Sequence, residues 1–398
     1  MRFRALLTTL LTTIWCLAGP AFAATLETDI TPEMAEMGCT ARLNGPIEAG
    51  DLERIQPFLE TPLSPNFGAP GFDQAIVNRR FSPALDYAPD GFFTHRLCLN
   101  SPGGSLVEAL RIIDFIRRQS TTTEVGGPSG IQTGIARDDI CDSACAYIFL
   151  AGRFVRFAGL SHYEGWSNHV LHPLGRLGFH APFLNFDEPS YSGDQVRDIW
   201  RIGMNATSLI SRQIASGNIF MTNDLFSEMV TYLPSEMLVV ETVGQAVRWK
   251  IAVEPNLLSF NSYPYSREAF FEAACLNAAA RAPTFIDLTP VSERLTLRED
   301  GAMQRSVGGF VDALSGRGYD CEIATKAWDD LQTHLSFDDY GADWLPRSEF
   351  ICYTPQVSLV PSDLSFECED CAIEVDIGCL GILPPQTPIR EIHMDPPD

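Results

Sequence analysis

The most constraining feature of this sequence is a strand-to-helix joint built on a pair of glycines. Leu97-Cys98-Leu99-Asn100 is an apolar run, and Ser101-Pro102-Gly103-Gly104-Ser105 breaks it. Leu106 to Arg118 then places Leu106, Ala109, Leu110, Ile113 and Ile116 on one helical face, opposite Glu108, Arg111 and Arg117. A helix that starts at a glycine turn directly after a strand is a crossover unit of a parallel sheet. The joint therefore predicts an α/β protein. The 398 residues suffice for one large domain with additions or for two, and 45% hydrophobic with 20% charged residues is an ordinary globular balance.

Residues 1–23 read as a secretory signal. Arg2 and Arg4 give the positive start, Ala5 to Gly19 the apolar stretch, and Ala21-Phe22-Ala23 a small-x-small cleavage site. The apolar stretch is short of the roughly 20 residues that span a bilayer, and no later segment reaches that length, so no membrane span is expected. The formal charge of −23 becomes more negative once the signal arginines leave, which argues against nucleic acid or anionic lipid as a partner. Of 11 cysteines, Cys16 lies in the signal. The even remainder in an exported chain suggests disulfides, with Cys98 alternatively a buried apolar residue of a strand. The expected location is periplasmic or secreted.

Along the chain, Cys39 to Leu59 reads as strand, turn and helix, and residues 60 to 92 as a surface excursion rich in Pro, Gly, Asn and Asp. A strand from Phe93 to Leu99 precedes the glycine joint. Thr121 to Val125 is a candidate strand, Gly126 to Gly134 a glycine-rich loop, and Cys141 to Gly152 a turn with a buried helix. Phe154 to Pro173 reads as an irregular insertion and Leu177 to His180 as a strand. Helices are expected at Val196 to Gly217, Asp224 to Tyr232 (capped by Thr222 or Asn223) and Glu241 to Trp249. The organisation expected is a domain over residues 24–255, a cysteine-containing C-terminal region over 256–383, and a flexible acidic Pro-rich tail over 384–398.

Three features at one predicted sheet edge carry chemistry. Ser143 precedes the apolar run Ala144 to Leu150, where a helix N-terminus favours developing negative charge; the plainer role is a helix N-cap. Gly103 and Gly104 let backbone N–H groups approach a ligand, or simply make a tight turn. His180 ends a strand and could project beside Ser143, or be structural. Cys141 and Cys145 flank Ser143 and suit disulfides better than a metal, with Cys39 and Cys98 as alternative partners. His162, His169 and His172 share the insertion with Glu164. They lack a fourth ligand at fixed spacing, so solvated loop positions are expected and no metal or cofactor is assigned.

Taken together, Asn100-Ser101-Pro102-Gly103-Gly104-Ser105, Ser143-Ala144-Cys145-Ala146 through Leu150-Ala151-Gly152, and Gly178-Phe179-His180-Ala181-Pro182 resemble the ClpP-type serine peptidases of the ClpP/crotonase superfamily, and their exported relatives most of all. The resemblance covers roughly Cys39 to Val253. It implies repeated ββα units around a parallel sheet, Ser143 as nucleophile, His180 as general base, and the N–H groups of Gly103 and Ala144 as the oxyanion hole. The family's orienting aspartate falls near Leu238, where no carboxylate stands; either Glu236 substitutes after a small register shift, with Glu241 as its alternative and Asp224 and Glu228 further off, or the site is a dyad or degenerate. The expected activity is an exported serine hydrolase, a peptidase acting on short or unfolded peptides. An ATPase partner is not carried over to an exported chain, and a homo-oligomer is allowed. The alternative is a catalytically silent protein of this fold that binds or scaffolds in the cell envelope.

Overall fold

The structure, a computed structural model, describes residues 23–61, 95–119, 130–157, 163–182, 192–232, 236–253, 265–281, 286–287, 297–300, 302–306, 310–312, 318–329, 357–361, 373–375 and 379–392. The chain begins with β1 (Thr25–Glu27), α1 (Pro32–Glu36), β2 (Ala41–Asn44) and α2 (Asp51–Leu59). Next, β3 (Arg96–Asn100) passes through the glycine joint into α3 (Leu106–Gln119). Then come β4 (Gln132–Ile135), β5 (Ile140–Asp142) and the fully buried α4 (Ala144–Phe149). A hairpin of β6 (Arg153–Phe157) and β7 (Tyr163–Ser167) leads to β8 (His169–Leu171) and β9 (Arg176–Phe179). They are followed by α5 (Gly193–Ala215), α6 (Asn223–Met229), β10 (Leu238–Val239), α7 (Val243–Arg248) and β11 (Ala252–Val253).

The central sheet has the order β1-β2-β3-β4-β8-β11, and every neighbouring pair except β1-β2 is parallel. A second sheet, β10-β9-β5, joins it where Ser101 bridges Cys141. The protein is thus mixed α/β with a mostly parallel central sheet. Arg96, Leu97, Cys98 and Leu99 are all buried, as strands covered on both faces must be, so β3 shows no polar alternation.

Several local expectations change. The glycine-rich loop contains β4, whose polar residues are buried because each finds a partner: Thr133 donates to the Phe149 carbonyl (2.6 Å) and Gln132 bonds Arg96. Gly134 belongs there because a Cβ would approach the Cys98 sulfur at 3.0 Å. The insertion after Gly152 is not irregular; it holds β6, β7 and β8. Glu108 is buried rather than on an open face, because its carboxylate accepts the Leu52 N–H (2.9 Å) at the start of α2. The candidate strand at Thr121 to Val125 lies outside the described residues, as does the signal segment up to residue 22.

Beyond Val253, α8 (Arg267–Arg281) packs against α7. The strands β12 (Ile286–Asp287), β13 (Leu297–Asp300), β14 (Met303–Ser306), β15 (Phe310–Asp312), β16 (Gly318–Ala324), β17 (Val357–Pro361) and β18 (Ile373–Val375) form an antiparallel sheet. The expectation of a flexible tail from residue 384 is corrected over 384–392. Ile389 and Ile392 are buried, Gly244 donates to the Pro385 carbonyl (2.8 Å), and Ile389 donates to the Glu241 carbonyl (2.8 Å). Apolar burial outweighs the Pro-rich, acidic composition there.

Among the described residues three disulfides are present: Cys39–Cys98, Cys141–Cys145 and Cys275–Cys321, with sequence separations of 59, 4 and 46. Cys98 is therefore not merely a buried apolar residue. Loop-closure scaling assigns about 4 kcal/mol to each long-range bridge and about half that to the short one. Among the described residues no helix is long and apolar enough to cross a membrane.

His169 and His172 are buried, not solvated. His169 donates from Nε2 to the Lys250 carbonyl (3.2 Å) and its ring lies 5.0 Å from that of Phe149. Burial pushes its imidazole down to about 4. Below the ordinary value of 6.5 the unfolded chain takes up a proton that the folded ring refuses. This contribution is therefore full above pH 6.5 and is lost as pH falls through about 4. Asp139, raised by burial to about 6, has the opposite slope. Comparing urea unfolding of the native chain with His169→Gln isolates the histidine. The native chain should lose on the order of 3 kcal/mol more than the variant between pH 7 and pH 4.

Candidate active site

The site is built where β5 ends. Ser143 sits between β5 and α4 with φ 60° and ψ −123°, outside the conformations that L side chains ordinarily adopt. Such backbone costs about 1–3 kcal/mol and persists only where its surroundings over-determine it. An N-cap serine instead has extended backbone and a hydroxyl that accepts a helix N–H. Ser143 occupies the N-cap position of α4 but makes no such bond. The plain capping role is therefore not the one seen. The hydroxyl is carried on a sharp strand-to-helix turn, half exposed, above a helix that is otherwise buried.

The turn is held from several sides. The Ser143 N–H donates to the Gly178 carbonyl (3.0 Å), and the Asp142 N–H to the Ser101 carbonyl (3.1 Å). Asp142 is paired with Arg176 (3.1 Å). Gly178 must lack a side chain, since a Cβ would fall 2.3 Å from the Asp142 carboxylate and 2.6 Å from Met237 Cγ.

The glycine pair lies directly against Ser143. A Cβ on Gly103 would stand 2.7 Å from Ser143 Cβ and 3.2 Å from the Ala144 nitrogen. The Gly103 N–H, expected in an oxyanion hole, instead donates to Ser101 Oγ (3.1 Å). The Gly103 carbonyl accepts from the Ile47 N–H (2.8 Å), and across a trans peptide the Gly104 N–H must point the opposite way. That is the side on which β5 and Ser143 lie, because Ser101 bridges Cys141 there. Gly104 and Ala144 donate no hydrogen bond among the described residues, and Ala144 as the first residue of α4 has no acceptor within its helix. Two backbone N–H groups thus flank Ser143, and they belong to Gly104 and Ala144. The Ser101 hydroxyl that turns Gly103 inward was legible only as a serine heading a turn sequence.

His180 follows β9, which pairs in parallel with β5, with Asp142 opposite Gly178. The register carries it alongside the turn that holds Ser143. It is buried, and its Nδ1–H donates to the Ala181 carbonyl (2.7 Å), a partner that sequence reasoning did not name. A carbonyl only accepts, so the proton at that bond is on Nδ1. β10 runs antiparallel to β9 with Leu238 opposite Phe179, which sets Met237 across from His180 and exposed Glu236 across from Ala181. Glu241 is exposed two residues beyond the strand, its N–H and carbonyl tied to Gln245 and Ile389. Asp224 and Glu228 both pair with Arg248. Among the described residues no cluster of metal-ligating side chains is found.

No family model matches the chain, and no curated protein compared with it is similar. The functional reading therefore rests on the geometry and on the sequence pattern.

The closeness of Gly103 to Ser143 has a measurable consequence. Gly103→Ala combines a φ of 98° with the contacts above, whereas Gly50→Ala meets nothing within 4 Å at a φ of 97°. By urea unfolding the first should cost about 2–4 kcal/mol and the second about 1–2 kcal/mol.

Proposed function

We propose that this chain is an exported serine hydrolase of the ClpP/crotonase type, a peptidase acting on short or unfolded peptides through an acyl-enzyme on Ser143. The observation that carries the reading is the Ser143 backbone, with φ 60° and no capping bond, on a strand-to-helix turn. A structural serine gains nothing from that conformation. A nucleophile gains an exposed hydroxyl at the positive end of a buried helix.

The steps follow from this arrangement. The Ser143 hydroxyl attacks the substrate carbonyl while His180 Nε2 takes its proton. The charge that develops on the carbonyl oxygen is met by the N–H groups of Ala144 and Gly104. His180 then gives its proton to the leaving amine, and water hydrolyses the ester by the same route. The Ala181 carbonyl holds the proton on Nδ1, which leaves Nε2 as the basic nitrogen. Glu236 stands across from Ala181 and brings negative charge near the ring, and Glu241 has no step. The disulfides support export to an oxidising compartment. Self-association is part of the reading. The outer half of α5 exposes Val196, Trp200 and Met204 on one face beside the pairs Asp194–Arg197 and Asp198–Arg201, a face suited to a second copy of the chain.

A fluorophosphonate probe should label the purified protein, and Ser143→Ala should abolish labelling with folding unchanged. An unlabelled, well-folded protein would favour a silent scaffold. His180→Ala should lower the labelling rate by a factor of about 10³ or more, and Glu236→Gln by less than tenfold, where loss of a true triad carboxylate costs about 10⁴. In sedimentation, Trp200→Glu should shift the protein toward monomer.

A further inference from the structure

Cys141 and Cys145 are joined across the three residues whose centre is Ser143. Cys141 is fixed in β5, with Leu177 on one side and Ser101 on the other, and Cys145 is the second residue of α4. Both are fully buried. A bridge of sequence separation 4 removes about half as much freedom from the unfolded chain as either long-range bridge, so global stability accounts for it less well than for the other two. Its effect is local. It ties the end of a strand to the first turn of a helix and leaves the residue between them to make the whole change of direction.

We infer that the Cys141–Cys145 disulfide is a positioning device that keeps Ser143 out of the N-cap conformation. The inference rests on the reading of Ser143 as the nucleophile. Without the bridge, the lower-energy state open to a serine before a helix is extended backbone, with its hydroxyl accepting the N–H of the second or third helical residue. That state would turn Oγ toward α4 and fill the helix N-terminus that a substrate oxygen needs. With the bridge in place, the observed φ of 60° keeps the hydroxyl off those N–H groups. The Ser143 N–H bond to Gly178 and the Asp142–Arg176 pair hold the neighbouring backbone, but neither crosses the turn from strand to helix. The disulfide does.

The test uses the full chain carrying Cys141→Ala and Cys145→Ala together, with Cys39→Ala and Cys98→Ala together as a control in the adjoining central sheet. Both variants are checked for folding by circular dichroism and measured below their melting temperatures. The first pair should lower the fluorophosphonate labelling rate and kcat by roughly ten- to a hundredfold, with KM little changed. The second should lower the melting temperature and leave the labelling rate alone. A crystal structure of the first variant should show Ser143 with negative φ and its Oγ within hydrogen-bond distance of a helix N–H. Unchanged labelling in a folded first variant, or an unmoved Ser143 in its crystal structure, overturns the positioning role while leaving the hydrolase reading intact. A parent protein that the probe does not label overturns the hydrolase reading and with it this one.

Discussion

The hydrogen bond from the Ser143 N–H to the Gly178 carbonyl, at 3.0 Å, is the tie on which the site depends. It extends the parallel pairing of β5 and β9 by one residue, just as the chain leaves the strand and turns into α4. Because the pairing is parallel, whatever follows Gly178 runs in the same direction as whatever follows Asp142. Ser143 and His180 therefore emerge at the same end of two adjacent strands, the strands themselves being about 5 Å apart. An antiparallel pairing would have sent them to opposite ends. The same logic joins the glycine pair to the site, since the Ser101–Cys141 bridge sets β3 on the other side of β5.

Around this tie, small residues stand where backbones must come close. Gly178 admits the Asp142 carboxylate and Met237, and Gly103 admits Ser143 itself. Their cost in unfolded-chain entropy is offset by the wholly buried α4 and by the core packed beneath it. The result is a rigid base under a half-buried serine. Met237 stands across from His180 in the β10–β9 register, and the Ala181 carbonyl accepts from its Nδ1–H. A carbonyl orients the ring without the negative charge that a carboxylate would bring.

Much of the fold was legible in the sequence because its signals are periodic or steric. The apolar run before Gly103-Gly104 and the spaced apolar residues after it announce β3, α3 and a parallel sheet, and Ala144 to Leu150 announces a buried helix. What stayed hidden depends on partners far away in the chain. β4 is a buried strand only because Phe149 and Arg96 satisfy Thr133 and Gln132, and a reader of residues 126–134 sees glycine and polar groups. The docking of residues 384–392 depends on a groove beside α7 that the tail's composition does not reveal. Within the site, Ser143, His180 and the glycine pair could be picked by type and order. The choice between the N–H groups of Gly103 and Gly104 could not, because it turns on which way one peptide plane faces.

The central claim is that Ser143 is a nucleophile with an oxyanion hole made by Ala144 and Gly104. The most direct measurement is a high-resolution crystal structure of the protein after reaction with a small fluorophosphonate. The account predicts a phosphonyl group on Ser143 Oγ, with its oxygen about 3 Å from both the Ala144 and Gly104 nitrogens. A phosphonyl oxygen turned to solvent away from both N–H groups, or an adduct on another residue, would contradict it.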